Sequence, residues 1–398
     1  MPADPTPPVG DLVRDLVENL ETELVELRRD LHAHPELAWE EERTTALVAK
    51  RLGEADVRVQ MLSRSGLVAE VGSGEPVVAL RADLDALPVD DLVPEPWAST
   101  RPGVAHACGH DVHTTALVGA GLALAELARD GDLPGRVRML FQPAEEVMPG
   151  GALELLATDA LAGVRHVFGL HCDPGLDVGR IGLRVGPITG AADSLKVRLT
   201  GHGGHTSRPH LTEDLTYALG TLVTGLPAAL SRRLDPRAGA SLVWGMVRAG
   251  SARNVIPASG ELAGTLRMLD AGAWVDAEGL VRELIAQIIA PYGVQAAVDY
   301  VRGVPPVVNE PAATAVLERA VDSALGDDAR TPTAQSLGGE DFAWYLESVP
   351  GAMARLGTRT PGGPTYDLHQ GNLEIDERAI GIGAKVLAAA ALEALRQP

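Results

Sequence analysis

From residue 77 onward the chain alternates short, nearly continuous apolar runs with segments whose apolar positions recur every three or four residues. VVALRAD (77–83), RVRMLFQPAEE (136–146) and VRHVFGLHCDP (164–174) read as strands buried on both faces. Between them, HTTALVGAGLALAELAR (113–129) and PGGALELLATDAL (149–161) carry helical spacing. The order strand, helix, strand, helix, strand predicts a parallel sheet wrapped by helices, whose ligands bind outside the carboxyl ends of the strands. The polar residues that break the pattern fall there. Asp83 and Asp85 follow the first strand, Glu145 and Glu146 the second and His171 the third, while Cys108 and His110 lie in a loop feeding a helix N-terminus.

The rhythm changes in the middle of the chain. DSLKVRLTG (193–201) alternates like a half-buried strand, and 212–233 is helical. SLVWGMVRAG and GELAGTLRML are strands, 277–293 is a helix, and VQAAVDYVRG closes as a strand. This β-α-β-β-α-β order is the split, ferredoxin-like pattern and predicts a small inserted domain at 188–303, entered through VGPITGA and left through VRGVPPVVNE. Residues 1–187 and 304–398 then form the first domain, which resumes with PAATAVLERAVDSAL, GGEDFAWYLESVPG and a long final helix. The fold class expected is therefore two-domain α/β.

Composition narrows the functions open to this chain. Its 398 residues can bury more than one core, and 45% are hydrophobic, with no apolar run near the roughly eighteen residues of a membrane span. A formal net charge of −20 repels nucleic acid and anionic membranes, so neither is an expected partner. The proline-rich, acidic start MPADPTPPVG has no basic and apolar leader pattern, and a cytoplasmic location is the expectation. Cys108 and Cys172 are the only cysteines and each neighbours a histidine, so they read as thiols with ligand, reactive or packing roles, not as a disulfide.

HACGHDVHTT (106–115) crowds three of the eleven histidines around Cys108. Sulfur beside imidazole suits a Zn-type site, or a thiol nucleophile with His110 as its base. Glu145 and Glu146 shift the balance, because adjacent side chains leaving a strand diverge. One can face a metal while the other faces the attacking water. The alternative is a solvated acidic start to the following helix. His171 and His369 would complete a mixed S, N, O set; by themselves they read equally as a core histidine and an exposed loop histidine. A binding protein without turnover is the rival from another class, and it would not need the second acid.

Taken in order, RADLDALP, HACGHDVHT, FQPAEE, GLHCDP, GHGGHTSRPH, NVIP with GTLR, GGEDFA and the late histidine before DERAI resemble the successive motifs of one family. It is the metallo-amidohydrolase and peptidase family of aminoacylases, hippurate hydrolase, carboxypeptidase G and plant auxin-conjugate hydrolases, and the hippurate and auxin-conjugate branch matches best. The resemblance runs over nearly the whole chain. It implies a parallel-sheet catalytic domain with a ferredoxin-like lid that also mediates homodimerisation. Cys108, His110, Glu146, His171 and His369 would hold two divalent ions, with Cys108 bridging; Zn is expected, with Mn or Co as alternatives. Glu145 would be the general base and Asp85 an orienting aspartate, with Asp83 standing where other branches have a ligand histidine. His205 would stabilise the oxyanion across the dimer, and Asn254 and Arg267 would hold the substrate's carboxylate. His106, His113 and His210 are left in supporting or structural roles. The implied reaction is hydrolysis of the amide of an N-acyl amino acid or similar small conjugate by metal-activated water, with a dipeptidase or carboxypeptidase, or a Cys108-dependent hydrolase, as alternatives.

Overall fold

A computed structural model describes residues 8–397. The first seven residues, part of the start that argued against a leader, lie outside the described residues. The chain divides into two compact units. One comprises the chain up to Ile188, Val308–Ala334 and the part from Asp341 onward; the other comprises Thr189–Val307 and Gln335–Glu340.

The larger unit is built on an eight-stranded mixed sheet. Its order is Arg58–Met61, Leu67–Gly72, Arg136–Gln142, Val77–Asp83, Val164–Asp177, Gly351–Arg359, Ile181–Leu183, Arg330–Pro332. The central strands Arg136–Gln142, Val77–Asp83, Val164–Asp177 and Gly351–Arg359 run parallel, as the continuous apolar runs predict, while Leu67–Gly72 adds an antiparallel edge beside Arg136–Gln142. Helices His110–Asp130 and Arg378–Leu395 pack on each other and on this sheet, and Ala388–Ala391 of the second are all fully buried. Small residues set the spacing between the helices: a Cβ on Gly119 would meet Leu24 Cδ1 at 2.7 Å and Ala384 Cβ at 3.0 Å.

Several boundaries differ from the sequence reading. The strand expected to run to 146 ends at Gln142, which leaves both glutamates in a turn. The helix expected over 149–161 shrinks to Ala152–Leu156, because Pro149, Gly150 and Gly151 in front of it favour a turn. Helices Val9–Glu18, Glu21–Ala33 and Glu42–Gly53 and the strand Gly351–Arg359 were not anticipated.

Arg81 stands in the middle of the all-buried strand Val77–Asp83 and is itself 1% exposed. A buried guanidinium is tolerated only when paired. It donates to Asp83 (2.7 Å), Asp341 (2.6 Å) and Gln142 (2.9 Å), and Gln142 and the Ala152 amide also donate to Asp341. The strand ends are thereby tied to the segment after the acid turn.

The smaller unit is a four-stranded antiparallel sheet ordered Ser241–Ala249, Ser259–Met268, Ala191–Thr200, Gln295–Val304. Helices Leu215–Arg233 and Ala271–Ile289 pack together over it. Asp214 and Asp270 cap them by accepting from the Tyr217 and Ala273 amides. This is the β-α-β-β-α-β order read from the sequence. Val243, Val247 and Val301 of the sheet remain exposed.

Candidate metal centre

Gly109 separates two expected ligands and lies in the left-handed region at φ 85°, where the chain turns into the helix beginning at His110. A Cβ there would sit 2.8 Å from Cys172 Sγ, so the CGH sequence needs glycine for both conformation and space. The turn brings Cys108 and His110 to the middle of the strand Val164–Asp177, where His171 Nε2 lies 3.6 Å from Cys108 Sγ.

Hydrogen bonding sorts the histidines. His110 Nδ1 donates to the Asp85 carbonyl at 2.9 Å, and its Nε2 is buried without a partner. His171 Nδ1 donates to the Cys172 carbonyl at 2.8 Å, which likewise leaves Nε2 facing the cluster. Fixing one ring nitrogen so that the other is presented is the usual support for a metal-binding imidazole. His113 differs: Nδ1 donates to Asp83 at 2.6 Å and Nε2 accepts from the Cys172 amide at 2.8 Å, so neither nitrogen remains for an ion. His106 is buried with both nitrogens unpartnered, and burial drops its pKa to about 4. His210 lies exposed in the smaller unit.

Glu145 is buried, and Glu146 reaches His369: their Oε1 and Nε2 are 3.3 Å apart, with His110 Nε2 3.9 Å from the same oxygen. His369 is held in the left-handed region, φ 64°, by its amide donating to the Ala107 carbonyl at 2.7 Å. Asp85 accepts from the Glu145 amide at 3.0 Å and the Glu146 amide at 2.9 Å, one on each carboxylate oxygen. All five expected ligands thus come together. Donor atoms of Cys108, His110 and His171 lie within 4.8 Å of one another, and so do those of Cys108, Glu146 and His369 and those of His110, Glu145 and Glu146. The first two sets share Cys108.

The donors fit divalent ions. His110 Nε2 is a buried nitrogen without a hydrogen-bond partner, and the set combines sulfur, nitrogen and oxygen. Despite burial, which would lower it, His110 is held well above the usual imidazole range by Asp83 and Cys108, a concentration of negative charge that suits a cation. Burial pushes His171 well below that range, keeping it neutral. Burial would raise the Asp83 carboxyl, but His110, His113 and Arg81 outweigh it and hold Asp83 well below the usual carboxylate range. Burial also pushes the Cys108 thiol up, so the fold alone does not activate it; as a ligand it would bind as the thiolate, which a cation held there would stabilise.

The remaining expected residues lie in the smaller unit. His205 pairs with Val255 in a short antiparallel ribbon, and the Thr206 amide donates to the Asn254 carbonyl, so His205 and Asn254 share one corner. Ser207 donates to His205 Nδ1 from both its amide and its hydroxyl, which leaves Nε2 as the N–H. Arg267, on the strand Ser259–Met268, donates to the Leu337 carbonyl. The supporting side chains Arg81, Gln142, Asp341 and Glu41 were given no role, although the first three stand in RADLDALP, FQPAEE and GGEDFA; a charge inside the apolar run VVALRAD was a further signal.

Residues 79–393 match the profile of Peptidase family M20/M25/M40. The chain is 52% identical to a Rhodococcus jostii protein named for a glutamate–cysteine ligase, over 93% of this chain but only 46% of that protein's length. It is 38% identical to the N-acetyl-L-cysteine deacetylase of Bacillus subtilis, over 92% of this chain and 86% of that one. Among solved structures, a Staphylococcus aureus protein assigned as an aminohydrolase superposes with a TM-score of 0.91 at 31% identity, covering 97% of this chain and 100% of its own. The Bacillus subtilis YXEP protein, a dinuclear metal-binding peptidase of family M20, superposes at 0.83 with 32% identity, covering 96% and 100%.

Proposed function

The chain belongs to Peptidase family M20/M25/M40 and is a metal-dependent amidohydrolase or peptidase, and from that premise we propose that it cleaves the amide of N-acyl amino acids or similar small conjugates at a two-metal centre. The observation that carries this reading is the pair of donor sets joined at Cys108 with Glu145 beside them. Cys108, His110, Glu146, His171 and His369 are the ligands, with Zn as the expected metal and Mn or Co as alternatives. Two divalent ions held there supply electrophilic polarisation of the amide carbonyl and acidify water.

Glu145 is the general base: it takes the proton of the attacking water and delivers it to the leaving nitrogen. Asp85 holds the Glu145 and Glu146 amides and so sets where both carboxylates point. In the smaller unit, the lid at 188–303, His205 serves the site of the partner subunit, donating from Nε2 to the developing oxyanion there, and Asn254 and Arg267 receive the substrate carboxylate. The exposed Val243, Val247 and Val301 and the unpaired side of the strand Ser241–Ala249 support a homodimer formed through this unit. Two free, buried cysteines support a cytoplasmic location. Among the described residues no helix is long and apolar enough to cross a membrane.

The test compares Glu145→Gln with Glu146→Ala, assayed on N-acyl amino acids and dipeptides with metal analysis of each protein. Glu145→Gln should keep its metal and lose roughly 10² to 10⁴ in kcat, whereas Glu146→Ala should lose metal. If both variants stay active, the site lies elsewhere.

A further inference from the structure

One carboxylate beside the acid turn has no part in that mechanism. Glu41 is 0% exposed, although it stands between the exposed Glu40 and Glu42. It immediately precedes the helix Glu42–Gly53, where an acidic side chain ordinarily caps free amides. Glu36 already does so, accepting from the Arg43 amide at 2.9 Å and the Thr44 amide at 2.7 Å. Glu41 instead turns inward. Its Oε1 accepts from the Trp39 amide at 3.0 Å and the Ala144 amide at 2.8 Å, and its Oε2 accepts from the Ser65 hydroxyl at 2.5 Å.

Both amides belong to residues in the left-handed region, Trp39 at φ 69° and Ala144 at φ 53°, and neither is glycine. Such residues stay there only where their surroundings over-determine the conformation. Ala144 is the hinge of PAEE. The three successive amides of Ala144, Glu145 and Glu146 are held by two buried carboxylates, the first by Glu41 and the other two by Asp85. The sign of φ at Ala144 decides the directions in which the next two side chains leave the turn.

We propose that Glu41 is a positioning residue for the hydrolysis: by holding Ala144 left-handed it sets the orientation of Glu145 and Glu146, an inference that rests on the roles given to those two acids above. The full-length protein would be compared as wild type, Glu41→Ala, Glu41→Gln and Glu36→Ala. Hydrogen exchange of the peptide spanning 143–148 is followed without metal, and kcat and KM are measured with Zn or Mn on an N-acyl amino acid that the wild type cleaves. Glu41→Ala should speed exchange at 143–148 about tenfold and lower kcat about 10- to 100-fold, with KM changed less than about threefold. Glu41→Gln should recover most of both, because its amide oxygen can still accept from the two backbone amides and its NH2 can face Ser65. Glu36→Ala should lower Tm and loosen the helix Glu42–Gly53 with kcat unchanged.

Wild-type exchange and kcat in Glu41→Ala would overturn the proposal, as would an equal kcat loss in Glu36→Ala. Should Glu41→Ala not fold, Ser65→Ala, which frees one side of the carboxylate, must still speed exchange at 143–148 beyond Glu36→Ala or the proposal falls. An inactive Glu145→Gln beside a wild-type-like Glu41→Ala removes this inference and leaves the proposed function. A fully active Glu145→Gln removes the function, and the exchange result still judges the clamp.

Discussion

Replacing Asp85 by Asn should loosen the acid turn from the side opposite Glu41. Asp85 is buried, and each carboxylate oxygen accepts one backbone amide, at 3.0 Å from Glu145 and 2.9 Å from Glu146. Asn is nearly isosteric but keeps a single acceptor. One charge-assisted bond becomes neutral, and the other is replaced by an NH2 facing an N–H, which leaves a buried donor without a partner. Weakening the first contact and stranding the second donor together cost about 2–4 kcal/mol. At ~2 °C per kcal/mol for a unit of this size, the thermal transition of the larger unit should fall by ~4–8 °C. Melting is followed by near-ultraviolet circular dichroism in excess chelator, so that lost metal affinity does not enter the shift. With metal restored, kcat should fall about 10- to 100-fold, since one backbone anchor of the two acids is lost and the other weakened. A Tm within about 1 °C of wild type together with kcat within about twofold would refute the reasoning, because two buried charge-assisted bonds cannot vanish at no cost.

Prolonged chelation should abolish hydrolysis, and adding Zn, Mn or Co at ~100 times its Kd should restore activity and stabilise the fold by about 2.7 kcal/mol, read as a rise in Tm; a chelated protein that keeps full activity but is killed by thiol alkylation would point to Cys108 as nucleophile. Mixing inactive His205→Ala with inactive Glu145→Ala should recover part of the activity after subunit exchange, and verified heterodimers without activity would exclude a shared site. Burial, helped by Arg165, lowers the His166 pKa below its usual 6.5, so the folded state binds this proton less readily than the unfolded chain. The stabilisation is therefore complete above about pH 6.5 and is lost as pH falls below it. His166→Gln should flatten the decline in urea midpoint between about pH 7.5 and 5.5, and an unchanged slope would count against the shift.

The sequence by itself determined where chemistry could gather. Continuous apolar runs made strands buried on both faces, and a parallel sheet brings their carboxyl ends to one edge, so Glu145, Glu146 and His171 were legible as neighbours though far apart in the chain. The inserted β-α-β-β-α-β unit was legible from its change to alternating strands. The strand Gly351–Arg359 was not, because GAMARLGTR mixes small and charged residues and becomes a strand through parallel pairing with Val164–Asp177. Nor could spacing separate the histidines of HACGHDVH. His110 and His113 share a helix face, and what distinguishes them is that Asp83 and the Cys172 amide occupy both nitrogens of His113 while His110 Nε2 stays open. The three glutamates at 40–42 carry the same point further. Local sequence makes them equivalent candidates for the start of a helix, and only the tertiary fold, by bringing the left-handed Ala144 and Ser65 beside the middle one, turns Glu41 inward and leaves its neighbours in water. A strongly periodic strand or helix follows from the chain's own pattern, but the partner of a buried carboxylate depends on which distant backbone amide the packing delivers to it.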